Sequence, residues 1–542
     1  MPKNNESKSV IGKYFSSTAT KGLQSYFGRV VKGQPDIYDT PFAKGESTEE
    51  LLSRWSAVLE SIDKRWPSLW EFENDMKAKV GPLSVMKPLR DRMSDVDHYY
   101  DDILLSSEPI RQSAINAVLA EWGSAKGLRL RSTERTLNAM KKSTNSGSPY
   151  FTKRRRVVED TVPYTLRWMD RDVYQALNHW DGNACAILGW RGQEGGSKED
   201  DVKQRVVWMF PFAVNISELR CYQPLIEVAQ KNNIVSAWVS NDAVDRRITT
   251  LFDTKGKSDL IVCTDFTKFD QHFNPDMQDA AKSILSRIFA ANSDYANWLE
   301  QVFPIKYMIP LMYNYGLIRY GKHGMGSGSG GTNADETLSH RALQFEAAQR
   351  AGKLLNPNSQ CLGDDGILTY PGITVEDVIG TYQSHGLEMN ASKQYVSTND
   401  CTYLRRWHCA QYRVNGVCVG VYSTFRALGR LRYLERYMDP EIWNPKTVAL
   451  RQLSILENVK YHPLRDQFVE FCMKRDKYRL GIDIPHFLDD LPQIIKEVND
   501  YMPDFLGYTK TLQSEGDPTY GIADWWIVKY LRSRQNVKKS VA

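Results

Sequence analysis

Two short apolar runs, far apart in the chain, each lead into acids. Leu260-Ile261-Val262-Cys263-Thr264 runs straight into Asp265, and Asp270 follows five residues later. Gln360-Cys361-Leu362 and Gly366-Ile367-Leu368 flank Gly363-Asp364-Asp365. The first run reads as a buried strand presenting a carboxylate at its end. The second reads as a β-hairpin whose Gly/Asp tip carries two more acids. Strand ends that carry like charges constrain the fold, because charges gathered at one sheet edge repel unless something neutralises them. Alone, each signal is weak: Asp365-Gly366 is ordinary turn chemistry, and a Gly-Asp-Asp string arises by chance in roughly one chain in ten of this length.

The chemistry of the set is more specific. Two strand-end carboxylates can hold two divalent ions about 3.5–4 Å apart, a pair that activates a 3′-hydroxyl and steadies a leaving pyrophosphate. Mg²⁺ takes one or two carboxylates plus substrate phosphates, and Mn²⁺ suits the same hard oxygens. Between the acids lies Gly324-Met325-Gly326-Ser327-Gly328-Ser329-Gly330-Gly331-Thr332-Asn333. It leads into a helix carrying Leu338, Ala342, Leu343 and Phe345 and ending near Gly352. Such a loop at a helix start approaches a phosphate or sugar closely; the bland alternative is a flexible linker. No Gly-Lys-Ser/Thr is present, so it is not a P-loop. Lys203 and Arg205 alternate on a strand-like run, where both face one side and suit a triphosphate. Lys393 is a candidate general acid for the leaving pyrophosphate.

The rest of the chain is ordinary globular material. At 42% hydrophobic and 25% charged residues it has enough apolar mass for a sizeable core. A net charge of +5 excludes a wholly basic nucleic-acid coat, although Lys153 to Arg156 form a cationic run. The 8 cysteines include no C-x-x-C pair, and the spacing of Cys401, His408, Cys409 and Cys418 fits no common zinc site. Met1 to Lys13 has no apolar core, and no apolar stretch reaches the roughly 18 residues of a membrane span. Residues 1–46 read as an extended polar arm. Ser47-x-x-Glu50 is a capping box opening a helix with Leu51, Leu52, Trp55, Leu59, Ile62 and Trp66 on one stripe, and Pro67 after it. Residues 140–220 read as loops and strands. Asn274-Pro275 starts a helix carrying Met277, Ala281, Ile284, Leu285 and Ile288. Helical patterns dominate from about 425: Phe425, Leu428, Leu431 and Leu434 form one stripe stopped by Pro440, and Pro485, Pro492 and Pro503 break a later one.

Taken in order, these elements resemble the viral RNA-dependent RNA polymerase family. Ser146-Gly147-Ser148-Pro149 resembles its template-entry motif, and Lys203 with Arg205 its phosphate-contacting motif. Asp265-x4-Asp270, Ser327-Gly328-x3-Thr332 and Gly363-Asp364-Asp365 resemble the three palm motifs. Lys393 matches the general-acid lysine, and Tyr403-Leu404-Arg405-Arg406 resembles the primer grip. Within the family the chain looks most like the polymerases of picobirnaviruses, small bisegmented double-stranded RNA viruses. The resemblance implies an α+β right hand of fingers, palm and thumb, with an antiparallel palm sheet backed by helices on one face. It divides the chain into an arm (1–46), fingers (47–225), a palm (226–425) with a fingers insertion around 276–320, and a thumb with a C-terminal segment (426–542).

By resemblance, Asp265 and Asp364 coordinate two Mg²⁺ or Mn²⁺ ions and Asp365 supports them, while Asp270 senses the ribose 2′-hydroxyl. Ser327 and Thr332 position the ribose and template. Ser146, Gly147, Pro149, Arg405 and Arg406 contact RNA. Many relatives carry an Asn four residues after the threonine that matches Thr332; here that position is Glu336, and Asn333 is the expected partner of Asp270. The expected partners are RNA template and product, ribonucleoside triphosphates and a viral capsid protein, with no membrane, in the particle interior and the host cytoplasm. The segment after residue 510, with Trp525-Trp526 and the basic run Arg532 to Lys539, is a candidate to enter the active-site cavity. A reverse transcriptase is the alternative within two-metal polymerases, disfavoured because such enzymes place a bulky aromatic near Asp270. A non-catalytic RNA-binding or capsid-associated protein is the alternative outside them, disfavoured because three acids beside a phosphate-seeking loop would repel RNA unless neutralised.

Overall fold

A computed structural model describes residues 10–498 and 521–541. Its centre is a four-stranded antiparallel sheet in the order Gln360–Leu362, Asp365–Leu368, Ile261–Thr264, Tyr395–Ser397. The two acid-bearing runs are neighbours, with Gly366 opposite Thr264 and Leu368 opposite Val262. Strand alternation sends Val262 and Leu368 into one core, shared with helices Gln112–Glu121, Pro275–Ile288, Thr332–Arg350 and Val375–Ser384. Ile261, Cys263 and Ile367 face the other way, into a smaller core with Val244, Ile248 and Leu251 of helix Asn241–Thr254. The sheet is therefore covered by helix on both faces, a correction to the single-face expectation. Its near-continuous apolar strands are the reason, since neither face can be left in water.

A second sheet, Leu317–Arg319, Leu311–Asn314, Ala186–Gln193 and Lys203–Met209, carries Lys203 and Arg205. Residues 1–46 are not an extended arm where described. Thr20–Lys32 is a helix whose Leu23, Phe27 and Val30 bury into the core of this second sheet. Each such side chain contributes about 1.5–3 kcal/mol of burial, which outweighs the helix cost of about 1 kcal/mol each for Gly22 and Gly28. Beyond it, Tyr38 and Asp39 pair antiparallel with Leu434 and Tyr433. That pairing ends the Phe425 stripe early, so the helix is Thr424–Arg432 and Leu434 belongs to a strand.

The capping box is present: Glu50 N–H donates to Ser47 Oγ at 3.1 Å, and Ser47 N–H to Glu50 at 3.2 Å. Helices Thr48–Leu59 and Pro67–Lys79 pack not with the second sheet but with Thr424–Arg432, Pro445–Glu457, Arg465–Met473 and Leu491–Val498. The expected boundary at residue 47 thus does not follow the cores. The stretch 276–320 also divides: Pro275–Ile288 backs the central sheet, whereas Leu311–Arg319 joins the second. Helix Trp526–Val541 buries Ile527, Val528 and Leu531 in the C-terminal core, with Glu457 accepting the N–H groups of Trp526 and Ile527 at 3.2 and 2.9 Å. Trp525 and Trp526 pack, partly buried, against that helical core. Pro503 and residues 510–520 lie outside the described residues. All eight cysteines are buried thiols, and among the described residues no helix is long and apolar enough to cross a membrane.

Candidate active site

The acids fall where the strands put them. Asp265 is the residue after strand Ile261–Thr264, and Gly363-Asp364 is the two-residue turn of the hairpin, with Gly363 at φ 58°. Asp265 and Asp364 are exposed; Asp365 and Asp270 are partly buried. The Asp265 carboxyl is raised above its usual range, by burial first, with Asp364 adding repulsion and Lys393, Lys79 and Lys203 opposing it. Three separate elements thus deliver cations to one acid pair.

Backbone clamps hold the acids in register. Asp265 N–H donates to Gln394 Oε1 at 2.8 Å, and Gln394 Nε2 returns a hydrogen bond to Asp265 O at 2.8 Å. At the turn, Gly363 N–H donates to Thr337 Oγ1 at 2.9 Å, and Gly363 O accepts from His340 Nδ1 at 2.8 Å. Burial holds His340 neutral, its pKa pushed down to about 4. Asp365 turns away from the other acids: its Oδ2 accepts the Leu404 N–H at 2.8 Å. Burial pushes its pKa up to about 7, with Asp364 adding to it and the Leu404 N–H opposing. Leu404 and Arg405 both adopt positive φ, which turns that N–H toward the hairpin. Gln394, Thr337 and His340 were not singled out from sequence, because their roles depend on a helix and a loop meeting the hairpin in space.

The glycine-rich loop is a packed element, not a linker. A side chain on Gly328 would fall 1.7 Å from Trp208 O, and one on Gly331 would strike the Tyr222 ring at 2.3 Å. Trp208 N–H donates to Ser327 Oγ at 3.2 Å, while Thr332 Oγ1 lies 3.2 Å from the carbonyls of Gly326 and Ser329. Ser327 stitches the loop to the strand of Lys203 and Arg205, and Thr332 closes the loop on itself. Buried Glu218 anchors it from behind, accepting from Ser329 Oγ and, at 3.1 Å, from Gly330 N–H. Asn215 Nδ2 bridges Glu218, at 2.9 Å, and Gly328 O, at 3.2 Å, and Arg154 donates to Asn215 Oδ1 at 2.5 Å. One member of the basic run is therefore tied to the loop.

Basic residues form the opposite wall. Lys203 and Arg205 are exposed on the same side of their strand. The Lys203 ammonium is pushed down, by burial first and then by Lys79, Arg205 and Arg405, while Asp265 pulls it up. Arg405 is lowered to about 10, by burial first, with Arg426, Arg205 and Arg430 adding to it and Glu194 opposing. Glu194, 3.1 Å from Arg426 and 3.7 Å from Arg405, keeps its charge among them.

Five expected site residues are placed differently. Arg406 is buried and forms a two-pronged ion pair with Asp245, both contacts at 2.9 Å, so it holds the fold and offers nothing to RNA. Gly420 makes the room: its Cβ would lie 2.3 Å from the guanidinium carbon. Asn333 Oδ1 accepts from Trp238 Nε1 at 2.8 Å, and the residue that acts on the Asp270 carboxyl from this helix is Glu336. The reason is helical phase: Asn333 is exposed at the helix start, and Glu336 faces inward at 4% exposure. Ser146, Gly147 and Pro149 are buried, with Ser146 N–H donating to Thr152 O and Gly147 N–H to Asn145 Oδ1. They shape the loop, and the Ser146 and Pro149 side chains are buried.

The antiparallel sheet with acids at a strand end and hairpin turn, the packed glycine loop and the cationic wall define a nucleotide-polymerising palm. The chain belongs to the viral RNA-dependent RNA polymerase family: the model of that family matches residues 93–472. It is an RNA-directed RNA polymerase with the right-hand fold. A human picobirnavirus protein (strain Human/Thailand/Hy005102/-), described as a potential RNA-dependent RNA polymerase, is 58% identical over 530 residues, 97% of this chain and 99% of that one. The crystal structure of the RNA-dependent RNA polymerase of a human picobirnavirus superposes with a TM-score of 0.92 at 58% identity, and its insertion-loop deletion mutant with 0.90 at 56%. Each covers 97% of this chain and 99% of the solved one. A non-catalytic RNA-binding protein and a reverse transcriptase are thereby set aside.

Proposed function

We propose that this polymerase replicates and transcribes a viral RNA genome by two-metal-ion nucleotidyl transfer from ribonucleoside triphosphates. The observation that carries the reading is the pair Asp265 and Asp364, exposed at a strand end and the adjoining turn, facing Lys79, Lys203 and Lys393. The donor set is hard oxygen, suited to Mg²⁺ or Mn²⁺. Among the described residues no group of three His, Cys, Asp or Glu stands ready as a closed metal cage. That fits a site whose remaining ligands come from substrate phosphates and water. Asp265 and Asp364 would hold two ions, Asp365 supporting them, and the ions supply Lewis-acid stabilisation of the attacking and leaving oxygens.

The chain's own groups do the rest. Lys203 and Arg205 bind the triphosphate, Arg with paired N–H donors and Lys as a point charge. Lys393, close enough to Asp265 to lower its carboxyl pKa, gives its proton to the leaving pyrophosphate. Asp270 accepts from the ribose 2′-hydroxyl. The anchored glycine loop keeps the sugar and template base in place. The test is labelled-ribonucleotide incorporation on single-stranded RNA without primer, in Mg²⁺ and in Mn²⁺, with Asp364→Ala beside wild type. Template-dependent product that vanishes in the variant supports the reading; folded protein that binds RNA and makes no product, primed or unprimed, sinks it.

A further inference from the structure

Beside the hairpin that carries the acids lies a cavity of about 380 Å³, open next to Ile234 and Val235, which are partly exposed. Its inner wall is Thr337 and Leu338 of helix Thr332–Arg350 with Gln360 and Cys361 of strand Gln360–Leu362, all buried. Trp122 adds an aromatic ring to the lining. The wall reaches the catalytic turn in one step. Thr337 Oγ1 accepts the N–H of Gly363, the first residue of the turn, at 2.9 Å, and Cys361 precedes Gly363 by two residues. The charges around the cavity are already satisfied. Arg341 and Glu121 form a two-pronged ion pair at 2.8 and 2.7 Å. Arg247 donates to the carbonyls of Ile234, at 3.1 Å, and Asn233, at 2.6 Å. An ion entering here would lose its water and gain no unpaired opposite charge, so the occupant is uncharged. One polar atom is left over. Gln360 Nε2 donates to Val244 O at 3.2 Å, which fixes the amide orientation, and the buried Oε1 has no hydrogen-bond partner. A buried acceptor without a donor is costly, and an N–H brought into the cavity removes that cost.

We propose that this cavity is an allosteric site for an uncharged single-ring heteroaromatic molecule with an N–H donor, the size and polarity of a free pyrimidine base. The ring packs against Trp122 and Leu338, its N–H donates to Gln360 Oε1, and its presence is transmitted to the catalytic turn through Thr337 and Cys361. Apolar walls with one convergent polar group are the usual make-up of a small-molecule site. The inference goes beyond the polymerase reading, because binding here requires no catalysis.

The experiment is a calorimetric titration of the full chain, without RNA or nucleotide, with uracil and with dimethyluracil, whose ring N–H groups are replaced by N-methyl groups. Wild type, Gln360→Met and Val235→Phe are compared. Uracil is expected to bind wild type at one saturable site. Dimethyluracil on wild type and uracil on Gln360→Met are each expected to bind at least roughly 10-fold more weakly, since one leaves the acceptor unpaired and the other removes it. Val235→Phe fills the mouth and is expected to abolish binding. No saturable uracil binding, equal affinity for dimethyluracil, or unchanged affinity in Val235→Phe overturns the proposal. Should Gln360→Met fail to fold, the other two arms decide, because dimethyluracil needs no substitution and Val235 is partly exposed. In ribonucleotide incorporation, saturating uracil is expected to change kcat at least about twofold with KM for the nucleotide unchanged. An unchanged kcat, or a change in KM alone, overturns the coupling to the turn. The titration needs no turnover, so wild type that makes no RNA overturns the polymerase reading and leaves the binding result standing.

Discussion

The palm holds two carboxyl pairs that solve one problem in opposite ways. Asp265 and Asp364 are exposed, on a strand end and a turn, with lysines arriving from three other elements. Glu336 is buried and Asp270 partly so, and each carboxyl is raised above its usual range, by burial first and with the other close by. Repulsion in the open pair is left for solvent, cations and ligand to relieve; in the closed pair burial disfavours both charges. A fifth acid, Asp245, is buried and is neutralised by Arg406. The difference teaches that an acid's environment, and not its place in a motif, decides whether it can meet a ligand.

The sharpest way to break the comparison is at the open pair. Asp364→Ala is expected to lower incorporation at least roughly 10³-fold with the melting temperature little changed, since an exposed charge is removed and, on the proposed reading, a metal ligand with it. Activity of the variant near wild type in Mg²⁺ and Mn²⁺ would remove Asp364 from the reaction. The enclosed acid should answer in the other currency. Arg406→Ala leaves Asp245 buried and unpaired, and should cost about 3–5 kcal/mol of stability, read by denaturant unfolding. A variant as stable as wild type would mean that Arg406 is free for RNA after all.

Smaller effects sharpen the picture. Lys393→Ala should reduce kcat roughly 10²-fold with KM for the nucleotide little changed, because a proton donor acts on the leaving group. An increase in KM alone would make it a binding residue. Glu218→Ala removes the anchor of the glycine loop and should raise nucleotide KM about tenfold, an effect of loosened positioning; unchanged KM would show that loop packing suffices without the anchor. Asn333→Ala, beside the site but hydrogen-bonded to Trp238, should leave the ribonucleotide preference as it is.

Much of this was legible in sequence, and the reason is locality. The Asp265 strand, the Gly363-Asp364 turn, the capping box at Ser47 and the helix after Thr332 are each written in a few adjacent residues. The order of the motifs then identified the palm. Illegible were the partners. Helix Thr20–Lys32 was hidden by Gly22 and Gly28, which signal a break only when no core is waiting for Leu23, Phe27 and Val30. Arg406 sits next to Arg405 in one motif, yet Arg405 lies in the positive-φ turn near Glu194 while Arg406 opens the following strand and pairs with Asp245.

By itself, then, the sequence determined the class of chemistry: which acids stand at strand ends, which loop approaches a phosphate and which cations alternate on one side. The tertiary structure alone decided which acids are open and which are closed, and that Glu336 rather than Asn333 acts on Asp270. Residue type and spacing set where a charge sits along its own element. Whether that charge is left to solvent and a ligand, tied to an arginine or enclosed beside another acid depends on elements brought against it from far along the chain, and burial there disfavours it.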